Sequence, residues 1–230
     1  MSTPEYERQT EEKDIHWFLD TVIVRDIQQV IDAGSGYLAF ALVAQAIEML
    51  GALLDEKEIH DHGGGLPEKR FAKAIDDLFT PINKDYGRYN KGDSDYYLYK
   101  YLRCGMAHVL RPQTRIVFTG RTDASKLKLT HLTEVTLEGY AERQLLLVIE
   151  NFHDDLREAV RRAKVILKKT NHPKLRHGYI TISRFKHTYE TAADLNVQVP
   201  AGRSFAVTSS SLSGGPVYDF TITGLAPGAR

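Results

Sequence analysis

The segment of residues 37–54 limits the fold of this chain more than any other, because it is long and almost entirely apolar. A stretch of this kind is either a membrane span or a helix enclosed by its neighbours. Gln45 and Glu48 lie inside it, basic residues do not anchor its ends, and small residues recur along it. Polar side chains are costly inside a membrane, whereas small ones allow close helix contacts. We therefore expect a buried core helix and no membrane association.

Apolar residues spaced three and four positions apart predict amphipathic helices on both sides of this core helix. One helix precedes it and stops at Gly34-Ser-Gly36, a third begins at Pro67, and a fourth follows Ser94. The same spacing returns after Tyr140 and predicts a long fifth helix with a basic end. The expected fold class is mainly α, a helical bundle of four to five helices.

Two kinds of β structure are expected beside the helices. Residues 115–119 and 126–130 alternate polar with apolar side chains around a turn, which predicts an inserted β-hairpin. After residue 171 the composition changes to short alternating runs at 179–183, 196–199, 204–208 and 217–223. We therefore predict a helical domain over residues 1–175, with its hairpin near 115–130, and a small C-terminal β region over 176–230.

Charge and cysteine content limit the function classes. The 30 Lys and Arg residues balance the 30 Asp and Glu residues, so no global field attracts nucleic acid or a membrane. A site for a polyanion must then be a local patch. The single cysteine, Cys104, excludes an internal disulfide and suits a reducing compartment. Residues 1–14 lack the layout of a secretory signal, so we expect a cytoplasmic protein.

An arginine and a histidine, Arg103 and His108, lie five positions apart near the end of the fourth helix, which is rich in tyrosine and stops at Pro112. Arginine offers forked donors to phosphate oxygens, and histidine exchanges a proton near neutral pH. Metal-independent RNA cleavage needs a base for the ribose 2′-hydroxyl, an acid for the 5′-oxygen and a cation for the transition state. On a regular helix the two side chains point about 140° apart. A distorted helix or a second subunit would have to bring them together.

Further RNA contacts are expected from the same part of the chain, and each has a structural alternative. Tyr99 is a candidate for base stacking, and Lys100 and Arg111 are candidates for phosphate contact. The tyrosine equally fits a core position. Arg103 equally fits a bond to helix-end carbonyls or a pair with a buried acid such as Glu48. A satisfied histidine at a helix end is the corresponding alternative for the second motif residue.

Other clusters favour structural roles. His60-Asp-His62 has no partner motif for a metal site, and the adjacent glycines lack the spacing and the Ser or Thr of a P-loop. We therefore expect no metal and no cofactor. Cys104 and His108 share a helix face, although a lone cysteine is more typical of a small buried side chain. The basic run at 168–177 fits either a phosphate contact or a helix end followed by a linker.

The Arg103-to-His108 spacing, on a tyrosine-rich helix that follows an apolar helix with Glu48, resembles the HEPN domains, which are helical bundles. Many members act as metal-independent endoribonucleases in stress or defence systems, and others are non-catalytic interaction or regulatory modules. The resemblance implies that Arg103 and His108 are catalytic, that RNA is the substrate and that the protein is a homodimer. A regulatory protein partner is a further expectation. Cys104 stands where active members often have a polar residue.

Overall fold

The computed structural model describes residues 7–113, 115–172, 174, 179–186, 204–212 and 215–223, with side chains described for 14–113, 115–172 and 174. The chain divides into two units. The larger spans Glu11–Ile182, and the smaller joins Met1–Thr10 to Ser183–Arg230. The composition change near residue 175 falls shortly before the end of the larger unit.

The larger unit is mainly helical, as the sequence predicts. Its helices are α1, which joins Ile15–Trp17, Phe18–Asp26 and Ile27–Asp32; α2, Gly36–Leu54; α3, Leu66–Ala74 with Ile75–Phe79; α4, Asp85–Arg88; α5, Tyr99–Cys104 with Gly105–Val109; α6, Arg121–Lys126; and α7, Ile149–Lys169. The middle of α1, the end of α3 and the start of α5 are π-helical, a widened form with hydrogen bonds between residues five apart. The described residues form seven helices, more than the predicted four to five, because they include the short helices α4 and α6, which the spacing does not predict.

Helix α2 lies at the centre of the helical unit and contacts α1, α3, α5 and α7. Among the described helices it alone is long and apolar enough to cross a membrane, and 56% of its apolar stretch is buried within the fold. Its largest exposed apolar side chains, Tyr37, Leu38 and Leu42, lie near its N-terminal end. The rest of the helix forms the core against its neighbours, as the pattern predicts.

A close helix crossing fixes how α2 meets α3. A Cβ atom added to Gly51 would lie 1.8 Å from the carbonyl oxygen of Arg70. The Arg70 guanidinium is buried and donates to the Asp55 carboxylate at 2.7 Å and to the carbonyl oxygens of Glu58, Ile59 and Asp61 at 2.7, 3.0 and 2.8 Å. This arginine therefore ties the loop after α2 to the first turns of α3.

A three-stranded sheet packs beside the helices. Its strands are β2, Ile116–Thr119; β3, Thr133–Val135; and β4, Gln144–Val148, in the order β2-β4-β3. β2 runs parallel to β4, with Ile116 opposite Leu145, and β3 runs antiparallel to it, with Val135 opposite Gln144. The ring of Phe118 on β2 stacks on Phe40 of α2 with ring centroids 3.8 Å apart. The sheet is thereby joined to the helical core.

The sheet differs from the two elements that the sequence predicts here. The hairpin predicted near 115–130 is absent from the described residues: β2 pairs with β4 instead. Helix α6 occupies the predicted turn between the two expected strands. Lys128 has φ = 54°, which interrupts an extended run. The helix predicted from Tyr140 begins only at Ile149, because residues 144–148 form β4. Every β4 residue is buried, and a strand buried on both faces has no alternating pattern to reveal it.

The remaining strands lie toward the chain ends. β1, Glu7–Asp14, and β5, Tyr179–Lys186, form a two-stranded sheet. β6, Ser204–Leu212, and β7, Gly215–Thr223, pair antiparallel, with Ser204 opposite Thr223. Strands therefore occur at three of the four predicted runs, and the run at 196–199 lies outside the described residues.

Candidate functional site

Helix α5 carries the predicted motif and has an unusual backbone. Its π-helical part, Tyr99–Cys104, ends where the regular part, Gly105–Val109, begins. The chain then turns back over the helix, so that the Gln113 N–H donates to the Tyr101 carbonyl at 2.8 Å. A Cβ atom at Gly105 would lie 2.5 Å from the carbonyl oxygen of Arg111. Glycine is required at this position because the returning chain crosses the helix there.

Arg103 is held by α2 and by its own helix. Its Nε atom lies 2.6 Å from Oε2 of Glu48, and each side chain keeps 15% of its surface exposed. The two atoms form an ion pair that is not aligned as a hydrogen bond. The guanidinium also lies over the Tyr99 ring, 5.7 Å from its centroid. The predicted alternative, an Arg103–Glu48 pair, is confirmed.

His108 occupies a different environment from Arg103. It is exposed in the last turn of α5, where a basic side chain interacts favourably with the negative end of the helix dipole. The regular part of α5 begins at Gly105, so most of the span between the two residues keeps ordinary helical rotation. Among the described residues no hydrogen bond or ion pair joins Arg103 to His108. The two predicted catalytic residues therefore make no direct contact within the described part of one chain.

The three predicted RNA contacts are exposed to different degrees. Tyr99 is half-buried, meets Phe71 edge-on with ring centroids 5.7 Å apart, and has a pKa raised to about 12, first by burial and then by Cys104. Its ring is thus occupied by protein contacts. Lys100 and Arg111 are exposed, with the Lys100 ammonium 5.2 Å from the centroid of a neighbouring tyrosine ring.

An open hollow adjoins the end of α5. It has a volume of about 680 Å³ and is lined in part by Val109, Arg111, Val117, Tyr140 and Gln144. These residues come from the end of α5, from β2, from the segment before β4 and from the start of β4. The hollow is larger than those of about 340 and 400 Å³ beside the start of α2 and in the loop before α3. Sequence patterns do not bring these segments together.

An exposed apolar surface adjoins the hollow at the same helix end and shares Val109 with it. The Tyr37 hydroxyl donates to the carbonyl oxygen of Leu110 at 2.7 Å, which joins the start of α2 to the end of α5. Leu38 is 51% exposed and Val109 and Leu110 are each 60% exposed. We call Tyr37, Leu38, Leu42, Val109 and Leu110 the apolar surface. Large apolar side chains grouped in this way are typical of an interaction site.

A buried polar network was not predicted from the sequence. The Tyr86 hydroxyl donates to Asp155 Oδ2 at 2.8 Å and lies 3.0 Å from His131 Nε2, while the Val148 N–H donates to His131 Nδ1 at 3.0 Å. Nδ1 is therefore an acceptor, so the neutral ring carries its proton on Nε2. Burial lowers the pKa of His131 to about 3 and raises those of Tyr86 and Asp155. The network links α4, β4 and α7, and the His131 ring within it is neutral.

The remaining candidates lie away from α5. No group of three or more His, Cys, Asp or Glu side chains is placed to hold a metal ion in the part of the chain described. His60 and His62 are exposed in the loop before α3. In the basic run, the Lys174 ammonium donates to the carbonyl and carboxylate oxygens of Asp55, each at 2.8 Å. The Lys174 ammonium is therefore bound to Asp55 and is unavailable to a phosphate.

Comparisons with protein-family models, with curated proteins and with solved structures find no match for this chain. The resemblance to HEPN domains therefore rests on Arg103, His108 and the helical layout.

Proposed function

We propose that this protein is a metal-independent endoribonuclease of HEPN type, built on a helical bundle and acting as a homodimer. The observation that carries the proposal is the arrangement of α5. Arg103 is fixed by Glu48 and Tyr99, and His108 stands exposed in the same helix next to the apolar surface. An immobilised cation and an accessible imidazole are the two groups that the reaction requires.

The pairing of Arg103 leaves donors for a substrate. Glu48 approaches Nε, and the two terminal nitrogens make no hydrogen bond within the described residues. These nitrogens are the forked donors that match phosphate oxygens. In the proposed reaction Arg103 stabilises the charge on the phosphate, and His108 moves the proton. The 2′-oxygen attacks phosphorus, the 5′-oxygen leaves with a proton, and the products are a 2′,3′-cyclic phosphate and a 5′-hydroxyl.

In this proposal a second copy of the chain brings a histidine close to Arg103. Because Arg103 and His108 diverge on one helix, the proposed site joins Arg103 of one protomer to His108 of the other. The apolar surface supports this arrangement, since Val109 and Leu110 follow His108 directly and are each 60% exposed. Burial of this surface against its own copy would bring two α5 ends together.

The second candidate is a non-catalytic interaction or regulatory module of the same fold. The Arg103–Glu48 pair favours it, because the carboxylate already compensates the guanidinium charge. In this case the apolar surface binds a protein partner, and RNA is not a substrate.

RNA cleavage in EDTA separates the two candidates. Wild type, Arg103→Ala and His108→Ala are incubated with end-labelled single-stranded RNA, with His62→Ala and Arg161→Ala as matched controls at exposed positions. We expect cleavage by wild type and both controls, and a loss of about a hundredfold or more in the two motif variants. Circular dichroism establishes that every variant is folded. Equal cleavage by all the folded proteins, or cleavage by none, would rule out the nuclease.

A further inference from the structure

The hollow beside α5 combines an exposed aromatic ring with an exposed cation. Tyr140 is 53% exposed at its rim. Arg111 is the only charged side chain among the described residues that line it, and no described residue pairs with its guanidinium. Arg115, one residue before Ile116 of the hollow, is already engaged: it pairs with Asp95 and Glu142 at 2.8 Å each. Among its described residues the hollow thus offers one unpaired positive charge and one exposed ring.

The other walls of the hollow suit a flat ring. Val109 and Val117 supply apolar contact, and the volume of about 680 Å³ lies in the range of small-ligand sites. Gln144 is buried, and its Nε2 atom donates to the carbonyl oxygen of Glu142 at 3.0 Å. Its amide oxygen accepts no hydrogen bond from the described residues. That oxygen can accept an N–H from the edge of a base.

We infer that this hollow binds one nucleotide of single-stranded RNA, with its base on Tyr140 and its phosphate on Arg111. The inference rests on the proposed function and names a substrate-binding residue that the sequence does not single out. Tyr140 takes the stacking role predicted for Tyr99, whose ring is already covered by Phe71 and Arg103. Val109 and Arg111 follow His108 closely, so the bound nucleotide lies at the end of α5 that carries the imidazole.

Binding is tested on the full chain with a fluorescent 2′-O-methyl oligouridylate, which lacks the hydroxyl needed for cleavage. Tyr140→Ala weakens binding about tenfold, because it removes one stacked base. Tyr140→Phe keeps the ring and binds within twofold of wild type. Arg111→Ala weakens binding and lowers the slope of log K against log salt by about 0.7, the loss of one phosphate contact. Leu127→Ala and Arg25→Ala are exposed controls that leave the affinity unchanged.

Two outcomes overturn the inference. One is binding that is absent or equal within twofold in wild type and all variants. The other is competition by inorganic triphosphate together with a wild-type affinity in Tyr140→Ala, which would define an anion site without a base. The nuclease proposal fails separately: intact binding of the methylated RNA without cleavage of unmodified RNA refutes the nuclease and leaves the hollow as an RNA site.

Discussion

The Nε atom of Arg103 on α5 lies 2.6 Å from Oε2 of Glu48 on α2, and both side chains are largely enclosed. The pair therefore connects the motif helix to the central helix of the bundle. It also decides where the guanidinium points, which the sequence spacing left open.

Removal of Glu48 leaves the Arg103 charge without compensation. We expect Glu48→Gln to lower the free energy of unfolding by about 1–3 kcal/mol, the usual penalty for an unsatisfied half-buried group. Arg103→Met alone should cost a similar amount, and the double variant should cost less than the sum of the two. Urea denaturation of the four proteins measures the coupling. Additive losses would mean that the pair contributes nothing.

The crossing of α2 and α3 has no room for a side chain at Gly51. An added Cβ atom would lie 1.8 Å from a backbone oxygen of Arg70, so the helices must separate. We expect Gly51→Ala to destabilise the fold by about 3 kcal/mol or more. Gly63→Ala is the matched control, because a Cβ atom there meets nothing within 4 Å. A thermal midpoint for Gly51→Ala equal to that of the control would contradict this packing.

His131 makes stability depend on pH. Its folded pKa of about 3 lies below the ordinary value of 6.5, so the unfolded chain binds the proton first. Its contribution is constant above pH 7 and is lost as the pH falls below 6.5, by about 2 kcal/mol at pH 5. His153 has the same sign because burial lowers its pKa, and Asp155 the opposite sign because burial raises its pKa.

The test compares unfolding free energies at pH 7 and pH 5. The difference should shrink in His131→Gln and stay at the wild-type value in His16→Gln, which changes an exposed histidine. A difference that His131→Gln does not alter would show that the ring is protonated in the folded protein. The ring nitrogens in wild type should also report the neutral Nε2–H tautomer at pH 5 by nuclear magnetic resonance.

A site shared between two protomers predicts complementation. Mixed Arg103→Ala and His108→Ala proteins form heterodimers in which one composite site has both residues intact. With random mixing, about a quarter of the wild-type cleavage activity returns, because half of the dimers are mixed and each carries one of two sites. Each variant incubated alone is the control. A mixture no more active than its components would place both residues in one protomer.

Dimer formation through the apolar surface is tested by a substitution that places a charged side chain on that surface. Leu38 is 51% exposed on α2, and Leu38→Asp should convert a dimer into a monomer because the carboxylate would be buried. Leu127→Asp changes a leucine that is 67% exposed outside this surface and should keep the wild-type mass. Light scattering over a range of concentrations measures both. A monomeric wild type at every concentration contradicts the proposed assembly.

The helices could be predicted because their signals are local. The three-and-four spacing along residues 15–31, the apolar run of α2 and Pro67 at the start of α3 each lie within a single element. The strand β4 could not, because it is buried on both faces and runs directly into α7. The predicted hairpin was wrong for a related reason. The alternation in residues 115–119 correctly indicates a strand, but it does not identify the strand that pairs with it.

The sequence by itself determined the mainly helical class, the buried α2 and the Arg103 and His108 candidates, because periodicity and residue chemistry are carried by neighbouring positions. Only the tertiary structure decided that Arg103 meets Glu48, that Tyr140 and Arg111 share a hollow, and that Tyr86, His131 and Asp155 form one network. Those contacts join residues from distant segments. Their distances follow from how α2, α5, β4 and α7 pack together, and no local pattern encodes that packing.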